Sequence, residues 1–141
     1  MKRHRKTIGF VACIIVFMLL LITLFPSYHQ REKRYYSDKS NYISVRGIVE
    51  TVDYDSDSVY IQICEKSVEF TDTGFIIADQ NYRLACEKGL ESLLQVGSEV
   101  EFVCAPRYFG DGYWIPIVSI VVGDVVLLDF EVGYQNLVNR Y

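Results

Sequence analysis

The sequence predicts a mainly β fold: an N-terminal transmembrane helix followed by one small acidic domain of five strands, one internal helix and a short C-terminal helix. Three observations predict it. An uncharged apolar run occupies Thr7 to Phe25. Five later segments are rich in β-branched and aromatic residues, and most of them alternate with a period of two. Between the third and fourth segments the period lengthens to 3.6.

The apolar run is nineteen residues long and is preceded by Lys2, Arg3, Arg5 and Lys6. As a helix it measures roughly 28 Å, against a hydrocarbon core of about 30 Å. A cleaved signal peptide is the rival reading, but its apolar region normally spans only about 7 to 15 residues and ends in small residues. Phe25-Pro26-Ser27-Tyr28 follows here, and most of the run lies after Cys13, which also disfavours a lipoprotein signal at Ala12-Cys13. The expectation is an uncleaved, single-pass signal anchor. Arg31, Lys33, Arg34 and Lys39 follow the span, so the flanking basic counts are level, and the closer approach of the N-terminal four decides the orientation. Residues 1–6 are therefore expected in the cytoplasm, 7–25 in the plasma membrane, 26–41 as a solvated linker, and 42–141 as an extracytoplasmic domain.

About a hundred residues remain beyond the anchor, enough for one core and too few for two. Across the chain, 50% of residues are hydrophobic and 14% aromatic, sufficient for a packed interior. Residues 41–141 carry six Lys/Arg against sixteen Asp/Glu, a charge of −10. Nucleic-acid affinity rests largely on Lys and Arg neutralising phosphate, so this balance argues against a nucleic-acid partner.

The first strand is expected over Tyr42–Val52, with Gly47 as a bulge or kink, and is ended by the Asp-rich stretch Asp53–Asp57. Val59 to Ile63 gives a second strand. Glu65-Lys66 turns into a third, which carries Val68, Phe70, Phe75, Ile76 and Ile77. Tyr82, Ala85/Cys86, Gly89/Leu90 and Leu93/Leu94 then share a helical face behind an Asp79 or Asn81 cap, and Gly97 stops the helix. Val100, Phe102 and Cys104 make a fourth strand and Trp114–Val122 a fifth. Phe130, Tyr134, Leu137/Val138 and Tyr141 fall at helical spacing behind Asp129, with Gly133 weakening that helix. Three strands, a helix and two strands is the element order of a five-stranded Greek-key barrel, and over Tyr42–Val122 the chain resembles the OB type in architecture, without a family-specific motif.

The segment from Pro106 to Trp114 gathers Arg107, Tyr108, Phe109, Tyr113 and Trp114 around Gly110-Asp111-Gly112. In an OB-type barrel it would be the loop between strands four and five, one of the two loops such folds use to hold ligands. These five residues are the ligand-binding candidates, since aromatics beside an arginine can stack on a sugar, a base or a side chain. The competing reading is a hairpin whose Tyr108 and Trp114 only pack across strands.

Asp53-Tyr54-Asp55-Ser56-Asp57 opens like a calcium loop, but Ser58 stands where glycine is needed and Cys64 where a bidentate Glu should close the site, so a solvated turn is expected. Cys64, Cys86 and Cys104 are an odd set, which excludes full pairing; buried thiols are expected, with a Cys64–Cys104 bridge conceivable only if their strands are neighbours. Both histidines, His4 and His29, lie outside the domain, so no zinc site and no cofactor is expected. Asp72-Thr73-Gly74 matches the aspartic-protease triplet, and Val121-Val122-Gly123 resembles the apolar-apolar-Gly element of the retroviral type. Two chains could pair Asp72 to share a proton, yet Phe75 and the intervening helix do not suit that fold. No triad, kinase or metallohydrolase set is present. The expected function is a membrane-anchored, non-catalytic module that binds a protein or cell-envelope ligand. A dimeric aspartic-type protease is the alternative, and single-strand nucleic-acid binding a weaker one.

Overall fold

The computed structural model describes residues 13–23, 28–64, 74–106 and 114–141. Its described elements are helix α1 (residues 13–23), α2 (Tyr28–Ser37), a 3-10 turn (Lys39–Asn41), β1 (Ile43–Tyr54), β2 (Ser58–Cys64), β3 (Gly74–Ala78), α3 (Asp79–Glu87), α4 (Leu90–Leu93), β4 (Glu99–Cys104), β5 (Trp114–Val122), β6 (Val125–Leu128) and α5 (Phe130–Asn139). Each residue of α1 is exposed, and the helical stretch Cys13–Ser37 that it opens is long and apolar enough to cross a membrane.

The five strands β1–β5 close into a barrel. β1 pairs antiparallel with β2 on one side and β4 on the other, β2 pairs with β3, and β4 with β5. A short parallel ladder between β3 and β5 shuts it, with Gly74 opposite Trp114, Phe75 opposite Ile115 and Ile76 opposite Pro116. Pro116 has no N–H to donate, and the ladder ends there. This is the OB-type closure.

The interior follows from the period-two pattern: Val45, Val49, Val59, Ile61, Phe75, Ile77, Phe102, Ile115 and Ile120 all point inward and are buried. Phe75 and Phe102 meet edge to face at 4.6 Å across the barrel. Tyr82 and Ala85 of α3, with Leu90 and Leu94 at α4, join the same core.

Two bulges keep the barrel curved. The register between β1 and β2 shifts between Val49 and Thr51, leaving Glu50 as the extra residue, so Val49 and Val52 both face the interior side despite a spacing of three. The expected site, Gly47, instead pairs regularly with Val100, and a Cβ there would crowd Ile63 at 2.9 Å. A second shift, in the β4–β5 pairing, makes Val118 the extra residue of β5 and turns its side chain outward.

Several boundaries differ from expectation. β1 runs on to Tyr54, because the hairpin turn closes only where Asp55 N donates to Ser58 O at 2.8 Å. The internal helix is two short helices, broken at Gly89 with φ +89. Neither Asp79 nor Asn81 caps α3. Ala78 holds the cap position without a side-chain bond, Asp79 pairs with Arg140 at 3.1 Å, and Asn81 is buried with its Nδ2 donating to Gly133 O. Asp79 adopts φ +55, a left-handed conformation that aspartate tolerates, and its N–H donates to Asp57 O at 2.9 Å. Cys64 and Cys104 lie on opposite flanks of β1, on non-neighbouring strands, and no disulfide joins the described cysteines. Residues 65–73, which include the expected Glu65-Lys66 turn, Val68 and Phe70, lie outside the described residues.

Helix α5 is capped as its sequence suggests, by Asp129 accepting from Glu131 N at 3.0 Å, and it packs on the outer side of β5. There it meets α2, which occupies most of the segment expected as a solvated linker. Tyr36 is buried and stacks on Tyr141, Tyr134 Oη donates to Ser37 O at 2.7 Å, and Lys39 pairs with Glu131 at 2.7 Å while lying 4.8 Å over the Tyr134 ring. The segment is thus folded onto the domain by its tyrosines.

Burial sets an alkaline limit on this fold. It lifts the Tyr54 phenol, whose Oη donates to Leu94 O at 2.8 Å, from 10.0 up to about 12, with the Glu91 carboxylate adding to the effect. Tyr42 and Tyr82 are raised by burial as well. A folded-state value above the unfolded one means the native state holds protons that the unfolded chain has released. That stabilisation is complete below pH 10 and drains away as pH rises through about 12. We expect a melting temperature that is steady up to about pH 10 and then falls, with a shallower fall in Tyr54→Phe. An equal fall in the variant would remove Tyr54 as a source.

Candidate functional site

Towards the β1–β2 turn the outward positions of the two strands carry polar side chains, and the register places them side by side, Thr51 opposite Gln62 and Asp53 opposite Tyr60. Thr51 Oγ donates to Gln62 Oε1 at 3.0 Å, which fixes the amide and leaves its Nε2 hydrogens to donate elsewhere. Beyond Tyr60 lies β3, and beyond that Trp114, the first residue of β5.

Trp114 is placed by a glycine. A Cβ built on Gly74 would overlap Cζ3 of the indole, so the ring lies where residue 74 has no side chain. From there it reaches across β3 and meets Tyr60 at 4.8 Å with an interplanar angle of 62°. Trp114 remains 40% exposed, enough for the indole to touch a ligand while keeping its packing. Thr51, Asp53, Tyr60, Gln62 and Trp114 line a cavity of about 360 Å³ on this face. Among the described residues lining it there is one carboxylate and no cation.

Of the sequence candidates, Trp114 is on this face, and Arg107, Tyr108, Phe109 and Tyr113 lie outside the described residues. Asp72 and Thr73 of the protease-like triplet also lie outside them. Gly74 is the residue beneath the indole, and Gly123 is in the β5–β6 turn with φ +59. Of the Asp53–Asp57 stretch, Asp53 and Tyr54 end β1 and Asp55–Asp57 form the β1–β2 turn, and no cluster of three His, Cys, Asp or Glu able to hold a metal exists among the described residues. Sequence reasoning passes over Thr51, Tyr60 and Gln62, and weighs Asp53 only as the opening of a calcium-like loop. Their signal was present, since Tyr60 and Gln62 are the outward positions of a strand whose Val59, Ile61 and Ile63 alternate inward.

A larger cavity, about 550 Å³, lies between α3 and α5. Four of its polar side chains are engaged: Asn136 Nδ2 donates to Asn81 Oδ1 at 2.9 Å, Asn81 donates to Gly133 O, and Arg140 pairs with Asp79. A buried amide satisfied on both sides stitches the two helices together. It offers structure more than recognition.

No protein-family model matches this sequence, and the search of curated proteins finds no match.

Proposed function

We propose that this chain is a non-catalytic binding module, held at the plasma membrane by its uncleaved N-terminal helix, with the barrel on the extracytoplasmic side. The observation that carries the binding reading is the half-exposed indole of Trp114, seated over Gly74 against Tyr60. OB-type barrels hold ligands on the face of strands two and three and with the loop between strands four and five. Here Tyr60 and Gln62 belong to the second strand, Gly74 to the third, and Trp114 opens the strand that follows that loop.

Anchoring is supported by an N-terminal helix of sufficient length and apolarity. The N-in orientation rests on the closer flank of Lys2, Arg3, Arg5 and Lys6. The ligand expected for such a module is a component of the cell envelope.

The test is capture from a native envelope extract by the full chain, reconstituted without sugar-headed detergents, against Trp114→Ala and Tyr60→Ala. Loss of the captured component in both variants, with melting temperatures within a few degrees of the parent, supports the reading. Equal capture by parent and variants removes this face as the binding surface.

A further inference from the structure

We propose that the Tyr60–Trp114 groove takes an uncharged saccharide chain, an inference that rests on this face being the binding surface. The groove's chemistry selects among the ligands that stack on aromatic rings. Tyr60 and Trp114 meet at 62° and form an angled apolar corner on which the C–H face of a pyranose ring can lie. Beside that corner stand groups matched to hydroxyls: Gln62 with its Nε2 hydrogens to donate, and Asp53 as an acceptor. A sugar hydroxyl both donates and accepts, so it can use each of them.

The other ligand classes meet obstacles here. A phosphate-bearing strand would face Asp53 with no Lys or Arg among the described lining residues, on a domain of charge −10. Stacking of nucleic acid is normally joined to a cationic track for the backbone, and the described lining residues supply none. An extended peptide is commonly added along an unpaired strand edge, but β2 is paired to both β1 and β3, and β3 to both β2 and β5. Tyr60, at the centre of the groove, is paired on both sides, to Asp53 of β1 and to Ile76 of β3, so a peptide strand cannot be added there. At about 360 Å³ the cavity sits near the lower end of the range of roughly 300 to 1,000 Å³ for ligand sites, which suits a short stretch of a chain.

Trp114 is the only tryptophan of the chain, so its fluorescence reports this groove directly. The full-length protein, in micelles of a detergent without a sugar head group, is titrated with hexasaccharides of glucose, of N-acetylglucosamine and of mannose, with a fifteen-residue oligothymidylate and with an uncharged Ser/Thr-rich peptide. The expected result is a saturable fluorescence change with at least one hexasaccharide, unaltered between low and high salt, and about tenfold weaker in Gln62→Ala and Asp53→Ala. A response to oligothymidylate or peptide alone would overturn the saccharide assignment and leave the face as a binding surface. A hexasaccharide response unchanged in both variants would overturn it too, by placing the sugar elsewhere. Silence from every probe, together with undiminished envelope capture by Trp114→Ala, would overturn the binding face itself.

Discussion

Gly133→Ala is expected to destabilise the domain by about 3 kcal/mol, although the change raises helix propensity by about 1 kcal/mol. The larger effect is steric. A Cβ at residue 133 would overlap the carbonyl oxygen of Val118, which belongs to β5 and cannot swing aside. Relief requires α5 to lift away from the sheet. Lifting it loosens Asn81 Nδ2 from Gly133 O and draws Tyr134 and Leu137 out of their buried places. For a domain of this size the loss corresponds to a fall in melting temperature of about 10 °C or more. Denaturant unfolding of the full chain in micelles, followed by far-UV circular dichroism, measures it. A variant as stable as the parent would mean that α5 does not rest on Val118.

The same helix shows how far the sequence could be read. Asp129 as cap and the spacing of Phe130, Tyr134 and Leu137 announce α5, and by helix propensity Gly133 weakens it. In the fold that glycine is a contact. Its role depends on a backbone carbonyl of another element, and no local pattern carries that information. The five barrel strands and their order were legible because period-two alternation is a property of each strand alone, and Trp114–Val122 was bounded at both ends. The bulges were half legible. Val49 and Val52, like Ile117 and Ile120, sit three apart where a regular strand would set inward residues two apart. β6 was missed because Val125-Val126-Leu127-Leu128 is four residues with no alternation, which one strand edge can recruit and a sequence pattern cannot announce. Helix α2 is not legible because most of its residues are polar, and the tyrosine contacts that dock it are made with α5 and with Tyr141 just beyond it, about a hundred residues away.

The candidate site divides along the same line. Trp114 stood out as the single tryptophan beside a glycine-flanked loop, whereas Tyr60, Thr51, Asp53 and Gln62 became a group only once β1, β2 and β3 were in register. Recognition surfaces on a sheet are assembled across strands, so each strand holds one or two of the residues and none holds the pattern.

Gly74→Ala isolates that assembly, and its outcome should be the reverse of Gly133→Ala. The built Cβ overlaps an atom in both cases, but at residue 74 the atom belongs to a half-exposed side chain. Gly74 has no left-handed φ, so alanine fits its backbone. The indole can rotate outward and relieve the clash, giving up its contact with Tyr60, worth about 0.5 to 1.5 kcal/mol, while alanine recovers part of that by restricting the unfolded chain. Stability is therefore expected within about 1 kcal/mol of the parent. The groove, however, loses its wall. Trp114 emission should move to longer wavelength as the ring enters water, and capture of the ligand should fall as far as in Trp114→Ala. Emission that stays where it is in the parent would show that the indole does not lie over Gly74. A stability loss as large as that of Gly133→Ala would show that the ring is part of the barrel's core packing, leaving it no freedom to serve as a surface for a ligand.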